Sequence, residues 1–481
     1  MFIERYRCGL LTLLFALSLL FGLGAPAALA KSSEMPLTAN KAALAIFVQA
    51  RAKAENLENA GTMFDQAVQL DPNFAFGYLF AGQTNVEFRK NLEKAVSLAP
   101  TASPAEREWI LSAAAQNIGD QAATLKHLQN LEKLYPRDKR VLMQVGNYYR
   151  GIGDDAGGLK YFLAASAVDK KYAPPYNIIG YSHVALGNFA EADKAFKMYI
   201  SLIPNNANPY DSYAEMLLNS GKFDESIKQY TMALSKDPTF YNSYAGMGNA
   251  YEYKGDFTKA RETYRTMFDK STNEGIRAQA LTSLTNSWVA EGNIEEALKV
   301  NHQRIEIAQK AGDIQTVLGL HQLAAFITTE SGDFNAAAKH LEMAADLMND
   351  PSLSSATSSN RAFIASAART RLMIAKGDTG GAKGQIDWMA GATKNLNQQR
   401  VYNFLAGFAE LKQRHYAEAT GFFARSNQAD PLTWYYQAQA LEGAGDAAGA
   451  RKIYQKIVSL NQLDTVGYAF VRPRAVTKLK E

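Results

Sequence analysis

The sequence predicts an all-α chain, a stack of about twelve helix–turn–helix repeats. Three observations carry this. Five glycines, Gly119, Gly153, Gly187, Gly221 and Gly255, stand 34 residues apart. Aromatic residues keep the same beat, as Phe162, Phe196, Tyr230 and Tyr264. Pro136, Pro204 and Pro238 fall on one phase of it. A fixed period of this length marks stacked units, each of which buries its apolar face only against its neighbours.

The first thirty residues precede the repeats. Arg5 and Arg7 form a basic n-region, Leu10 to Leu23 an apolar h-region, and Ala28-Leu29-Ala30 a small-residue cleavage site. This is the pattern of a secretory signal peptide over residues 1–30, and the apolar run is short for a membrane span. The sequence therefore predicts an exported chain, periplasmic in a bacterium, with no stable membrane anchor after cleavage. The alternative is an uncleaved N-terminal anchor. The only cysteine, Cys8, lies ahead of the h-region. A chain cleaved at Ala30 would hold no disulfide, thiolate metal site or cysteine nucleophile. The full chain is formally +4, and removing Arg5, Arg7 and Glu4 with the leader leaves +3. Charges of both signs are mixed along the chain, so no nucleic-acid stripe is expected. The local basic excess at Arg472, Arg474, Lys478 and Lys480 reads as a solvated end.

The central repeats are the most regular. In Ala173 to Pro204 the first helix carries Tyr176, Ile179, Gly180 and His183 on one face. Gly187-Asn188 makes the turn, and glycine adopts the left-handed conformation there at little cost. The second helix carries Ala192, Phe196 and Tyr199. Small residues at Gly180 and Ala192 permit close approach, with Phe196 filling the space beside them, and Pro204 ends the unit. Ala207 to Pro238 repeats this with Tyr210, Tyr213, Ala214 and Leu217, then Gly221, Ser226, Tyr230 and Ala233. Tyr241 to Thr272 does so with Tyr244, Met247, Gly248 and Tyr251, then Gly255, Ala260, Tyr264 and Met267.

These positions match the tetratricopeptide repeat signature place by place, and the chain resembles that family over nearly all of its length after residue 30. The resemblance implies a right-handed superhelical solenoid. Towards the N-terminus, Lys139 to Lys170, Ala105 to Pro136 and Lys41 to Pro72 continue the pattern. Ala75 to Pro100 is a shortened unit, expected to keep two helices with a compressed turn. Towards the C-terminus the turn glycines become Gly292, Gly332, Gly377 and Gly445, with Arg414 in the glycine place of one unit. The serine-rich stretch 351–360 reads as a loop between an N-terminal array, 31–350, and a C-terminal array with its cap, 361–481. Pro473 is expected to confine any terminal helix to Arg474 onward, where a cap would cover the last apolar face.

No catalytic constellation emerges. The six histidines show no H-x-x-x-H or H-E-x-x-H spacing, and no serine sits in a G-x-S-x-G elbow. His183 reads as a packed residue, and Gly380 to Gly384 as a helix turn. The reading is therefore a non-enzymatic scaffold, with no cofactor and no metal.

What remains is the inner face. In the family the resemblance points to, first helices line a groove that receives extended peptides. Here the groove positions are Asn147, Asn177, Tyr181, Asp211, Glu215, Asn242, Asn249, Glu252, Gln279 and Asn286. Asparagine amides donate and accept, so they suit a peptide backbone. The lysine and arginine clamp of chaperone-binding members is not recognisable. The expectation is a protein or extended-peptide partner in an envelope complex, held in one groove from Asn147 to Asn286. The acidic groove residues would favour a neutral or basic ligand, and the asparagines are expected to face solvent. A glycan-binding or polysaccharide-assembly role is the alternative, because tyrosines and asparagines also suit sugars.

Overall fold

The computed structural model describes residues 34–82, 84–354, 358–461 and 464–481. The leader pattern at 1–30 lies outside them. The described residues are all-α, with 24 helices, two short 3-10 turns and no strand. The α-carbon contacts divide the chain into two compact units, up to Met216 and from Leu217 onward. The division falls inside a helix of the regular repeats. The serine-rich stretch lies within the second unit. It is loop to Ser354, and a helix already begins at Ser358.

The first unit opens with α1 (Lys41–Glu55), α2 (Met63–Leu70) and α3 (Asn85–Leu98). Three helix pairs follow, α4 (Pro104–Asn117) with α5 (Gln121–Leu134), α6 (Lys139–Gly151) with α7 (Asp155–Val168) and α8 (Pro174–Ala185) with α9 (Phe189–Leu202), then α10 (Asn208–Asn219) and, already in the second unit, α11 (Phe223–Lys236). The division runs through α10. The shortened unit keeps one helix, not the two expected. Its first helix is reduced to a 3-10 turn at Gly77–Leu79, because a segment this short cannot hold two helices and a turn.

The second unit continues with α12 (Tyr241–Lys254), α13 (Phe257–Lys270), α14 (Glu274–Glu291), α15 (Ile294–Lys310), α16 (Ile314–Ser331) and α17 (Phe334–Leu347). It ends with α18 (Ser358–Ala375), α19 (Thr379–Ala392), α20 (Leu396–Lys412), α21 (Tyr416–Ala424), α22 (Pro431–Gly443), α23 (Ala447–Ser459) and α24 (Val466–Lys480). The 17- and 18-residue helices α14 to α16 absorb the slip in period.

The beat has a local physical cause. All five turn glycines have φ between 73° and 92°, and Arg414, in the glycine place, has φ 66°. An aspartate often follows at once and starts the next helix. Asp120, Asp154 and Asp256 each accept the backbone N–H three residues on, a cap worth about 1 kcal/mol. Within a pair the second-helix aromatic lies against the first-helix glycine. A Cβ added to Gly146 would sit 2.6 Å from Phe162, and one added to Gly180 would sit 2.5 Å from Phe196. Phe162 and Phe196 are fully buried.

Pro473 does not stop the last helix. It lies inside α24, flanked by buried Tyr468, Phe470, Val471 and Ala475. A mid-helix proline costs about 3 kcal/mol, and apolar burial on both sides of it carries the helix through. Nor is the tail a solvated end, as its arginines dock inside the second unit.

Candidate functional site

In the first unit, first helices present an inner face that the chain itself partly covers. The non-helical segment from Glu34 to Asn40 crosses it. The Met35 N–H donates to Asp138 Oδ2 at 2.6 Å, and the Thr38 N–H donates to Glu106 Oε1 at 2.8 Å. The Met35 side chain is buried among Phe47, Phe74, Phe76 and Trp109. Arg140 of α6 holds this end together. It forks onto Glu55 of α1, with Nη2 at 3.0 Å from Oε2, and reaches Glu34 at 3.1 Å. Burial works against the Arg140 charge, but the paired Glu55 outweighs it and keeps the guanidinium firmly protonated. Burial, and then the Glu55 charge, push the Tyr172 phenol up. Asn206 Nδ2 donates to the Asn56 carbonyl at 2.8 Å across 150 residues, so this unit curls back on its own start.

Beside the segment lies a cavity of about 320 Å³. Its floor is aromatic, from Phe64, Phe76, Phe80 and Trp109, and its polar wall includes Arg51, Glu55, Gln144 and Asn147. Leu57 and Phe80 are exposed at it, at 52% and 36%. Asn147 is exposed on α6.

The ten groove positions fall five in each unit. In the first, Asn147 lines the cavity. Asn177 is half-buried, with Oδ1 sealed and unpartnered. Tyr181 donates to Glu215 Oε2 at 2.7 Å, bridging α8 and α10, and Asp211 is half-buried on α10. In the second, Asn242 and Gln279 are exposed. Asn249 accepts from Tyr264 at 2.6 Å, within its own repeat. Asn286 is 2% exposed, not solvent-facing, and donates to Asp464 Oδ1 at 2.7 Å. Glu252 has Oε2 sealed without a hydrogen-bond partner.

The cause of these last two placements is the C-terminal segment. Asp464 sits against Ser283 and Asn286 of α14. Tyr468 packs edge-on to Tyr253, and the Arg472 guanidinium lies 4.8 Å from the Tyr253 ring centre. Phe470 meets Phe326 of α16. Arg474 reaches Glu330 Oε2 at 3.2 Å, and Arg371 of α18 reaches Oε1 at 2.6 Å. Tyr436 of α22 donates to the same carboxylate at 3.0 Å. Burial pushes the Glu330 carboxyl up, but Arg371 and Arg474 hold it below its ordinary value. So α24 covers the last repeat, packing on α22 and α23 as the sequence suggested, and it also lies on α14 and α16, where the sequence suggested an open groove. The acidic groove charge does not gather either, since Glu215 serves Tyr181 and Glu252 is sealed. Sequence reading missed Trp109, Phe80, Glu330 and Arg371. One available signal was Tyr468-Ala469-Phe470-Val471, too apolar a run for a solvated tail.

Family models described as tetratricopeptide repeat match residues 173–206 and 241–266, and a further one matches 433–461. No curated protein matches the chain. Among solved structures, MamA is similar over 34% of this chain and 89% of its own, at 21% identity and a TM-score of 0.31. YrrB, described as a tetratricopeptide repeat protein with an unusual peptide-binding site, is similar over 45% and 96%, at 16% identity and a TM-score of 0.29. A tetratricopeptide repeat protein from Parabacteroides merdae is similar over 63% and 98%, at 12% identity and a TM-score of 0.35. At scores this low these likenesses carry no argument about function. The matched residues lie on the helix pairs α8–α9, α12–α13 and α22–α23, the first two of them on the 34-residue beat, and the chain carries tetratricopeptide repeats there.

Proposed function

We propose that the chain is a non-catalytic scaffold that holds an extended segment of a partner protein against the inner face of its first unit. One observation carries this reading: the face already holds a non-helical segment, Glu34 to Asn40, by its backbone amides, beside an aromatic cavity of about 320 Å³. A partner residue with an apolar side chain would fill the cavity, and its flanking backbone would meet the amides of Gln144 and Asn147. The second unit is the weaker candidate, because its own C-terminal helix lies on its first helices. Peptides selected from a displayed library against the full chain, with affinities measured by calorimetry, test this. Leu57→Glu, and Gln144→Ala with Asn147→Ala, should each weaken selected peptides about tenfold or more while the melting temperature holds. Unchanged affinities in folded variants would overturn the assignment. We further propose that the scaffold acts after export, in an envelope complex of the periplasm, on the strength of the leader pattern at 1–30. N-terminal sequencing should find Lys31 first, and a membrane-bound chain retaining Met1 would refute export with cleavage.

A further inference from the structure

A second cavity, of about 530 Å³, opens between the start of α14, the end of α15 and the start of α16. Its walls are mixed, with Leu281, Ile307, Ala308 and Leu320 on the apolar side. Two arginines, Arg277 of α14 and Arg304 of α15, line it.

Arg304 differs from Arg371, Arg474 and Arg261, which are also packed inside this unit. Arg371 and Arg474 share Glu330, and Arg261 pairs with Glu291 and stacks on Trp288. Arg304 makes no ion pair among the described residues, and its Nη1 is sealed from solvent without a hydrogen-bond partner. Burial disfavours its charge, and no acid offsets this. An unpaired, sealed guanidinium nitrogen is costly, and guanidinium cannot shed its proton as a lysine would. Arg277 has only the Phe268 ring, at 4.1 Å. The cavity has two acids. Asp313 is engaged with Thr316, accepting its N–H at 3.0 Å and its hydroxyl at 2.6 Å. Glu274 is exposed on the first turn of α14 and forms no ion pair with either arginine.

We infer that this cavity binds an oxyanion, a carboxylate or phosphate, carried on a small apolar body. The guanidinium of Arg304 receives the anion, Arg277 supports it, and Leu281, Ile307 and Leu320 hold the apolar part. The site is separate from the peptide face of the first unit and stands or falls independently of it.

Calorimetry on the full chain with octanoate, octyl phosphate, inorganic phosphate and 1-octanol tests the inference. Octanoate or octyl phosphate should bind, and whichever is tighter identifies the anion. Inorganic phosphate and 1-octanol should bind about tenfold more weakly or not at all, each lacking half of what the cavity offers. Arg304→Gln should weaken the tighter anion about tenfold or more, as expected for a lost charged hydrogen bond, and Arg304→Lys should restore part of it. Without ligand, Arg304→Gln should melt no lower than the parent, because it removes an unpaired charge. Should it fail to fold, Arg277→Gln supplies the same comparison with a smaller loss. Absence of binding by both amphiphilic anions at millimolar concentration would overturn the inference. So would equal binding of 1-octanol, or unchanged anion affinity in the Arg304 and Arg277 variants.

Discussion

Replacing Glu252 with glutamine should remove much of the pH dependence of the second unit's stability. Burial raises the Glu252 carboxyl from 4.5 to about 8, and the neighbouring Asp464 adds to this. Ser287 of α14, Arg472 of α24 and Arg261 of α13 oppose the shift without cancelling it. Asp464 is itself raised by burial. The folded chain therefore keeps a proton that the unfolded chain releases. Below about pH 4.5 both states hold it, and the contribution to stability is fully present. Between pH 4.5 and 8 only the folded state holds it, so stability falls as pH rises. At about 1.4 kcal/mol per pH unit the loss approaches 5 kcal/mol as a ceiling. Glu252→Gln keeps the shape and cannot ionise. It should match the parent near pH 4.5 and exceed it at pH 8 by up to several kcal/mol, with a residual slope from Asp464. Urea unfolding at pH 5, 6.5 and 8, with amide exchange read in α14 and α24, measures this. A variant with the parent's pH slope, or one less stable than the parent at pH 8, would refute the reasoning.

Two further outcomes are expected. Gly180→Leu should destabilise the first unit by about 1–3 kcal/mol or more, because the new Cβ would lie 2.5 Å from the buried Phe196 ring. A thermal melt unchanged by this substitution would show that the helix crossing has room to spare. Glu330→Ala should cost about 3–5 kcal/mol by leaving Arg371 unpaired where its side chain is only 12% exposed. Adding Arg371→Met should recover much of this, and additive losses in chemical denaturation would count against the ion network.

The repeat was legible because its causes are local. Gly187 ends a helix, Gly180 admits Phe196, and each requirement recurs wherever the pair recurs. Even Arg414 could be placed by counting, and it carries the left-handed backbone of the glycines it replaces. The environment of a polar inner-face residue was not legible in this way. Asn147 and Asn286 look alike in sequence, yet one is exposed and the other is sealed. The difference is set by Asp464, which arrives 178 residues after Asn286. Spacing within a helix carries no record of such a return. Pro473 misled for a related reason. Its local penalty was read correctly, while the burial around it depends on α14 and α16, far back in the chain.

The docking of α24 alters how the second unit can come into being. Stacked repeats with neighbour contacts alone fold piecemeal, from any point and in either direction. Here Ser283 and Glu330 await partners 181 and 144 residues downstream. On a ribosome, α14 and α16 emerge long before Asp464 and Arg474, with part of their inner surface uncovered for the whole interval. Closure of this face must wait for α24, and contacts at such separation slow folding. A chain broken off before α24 would thus lose the lock on helices made long before.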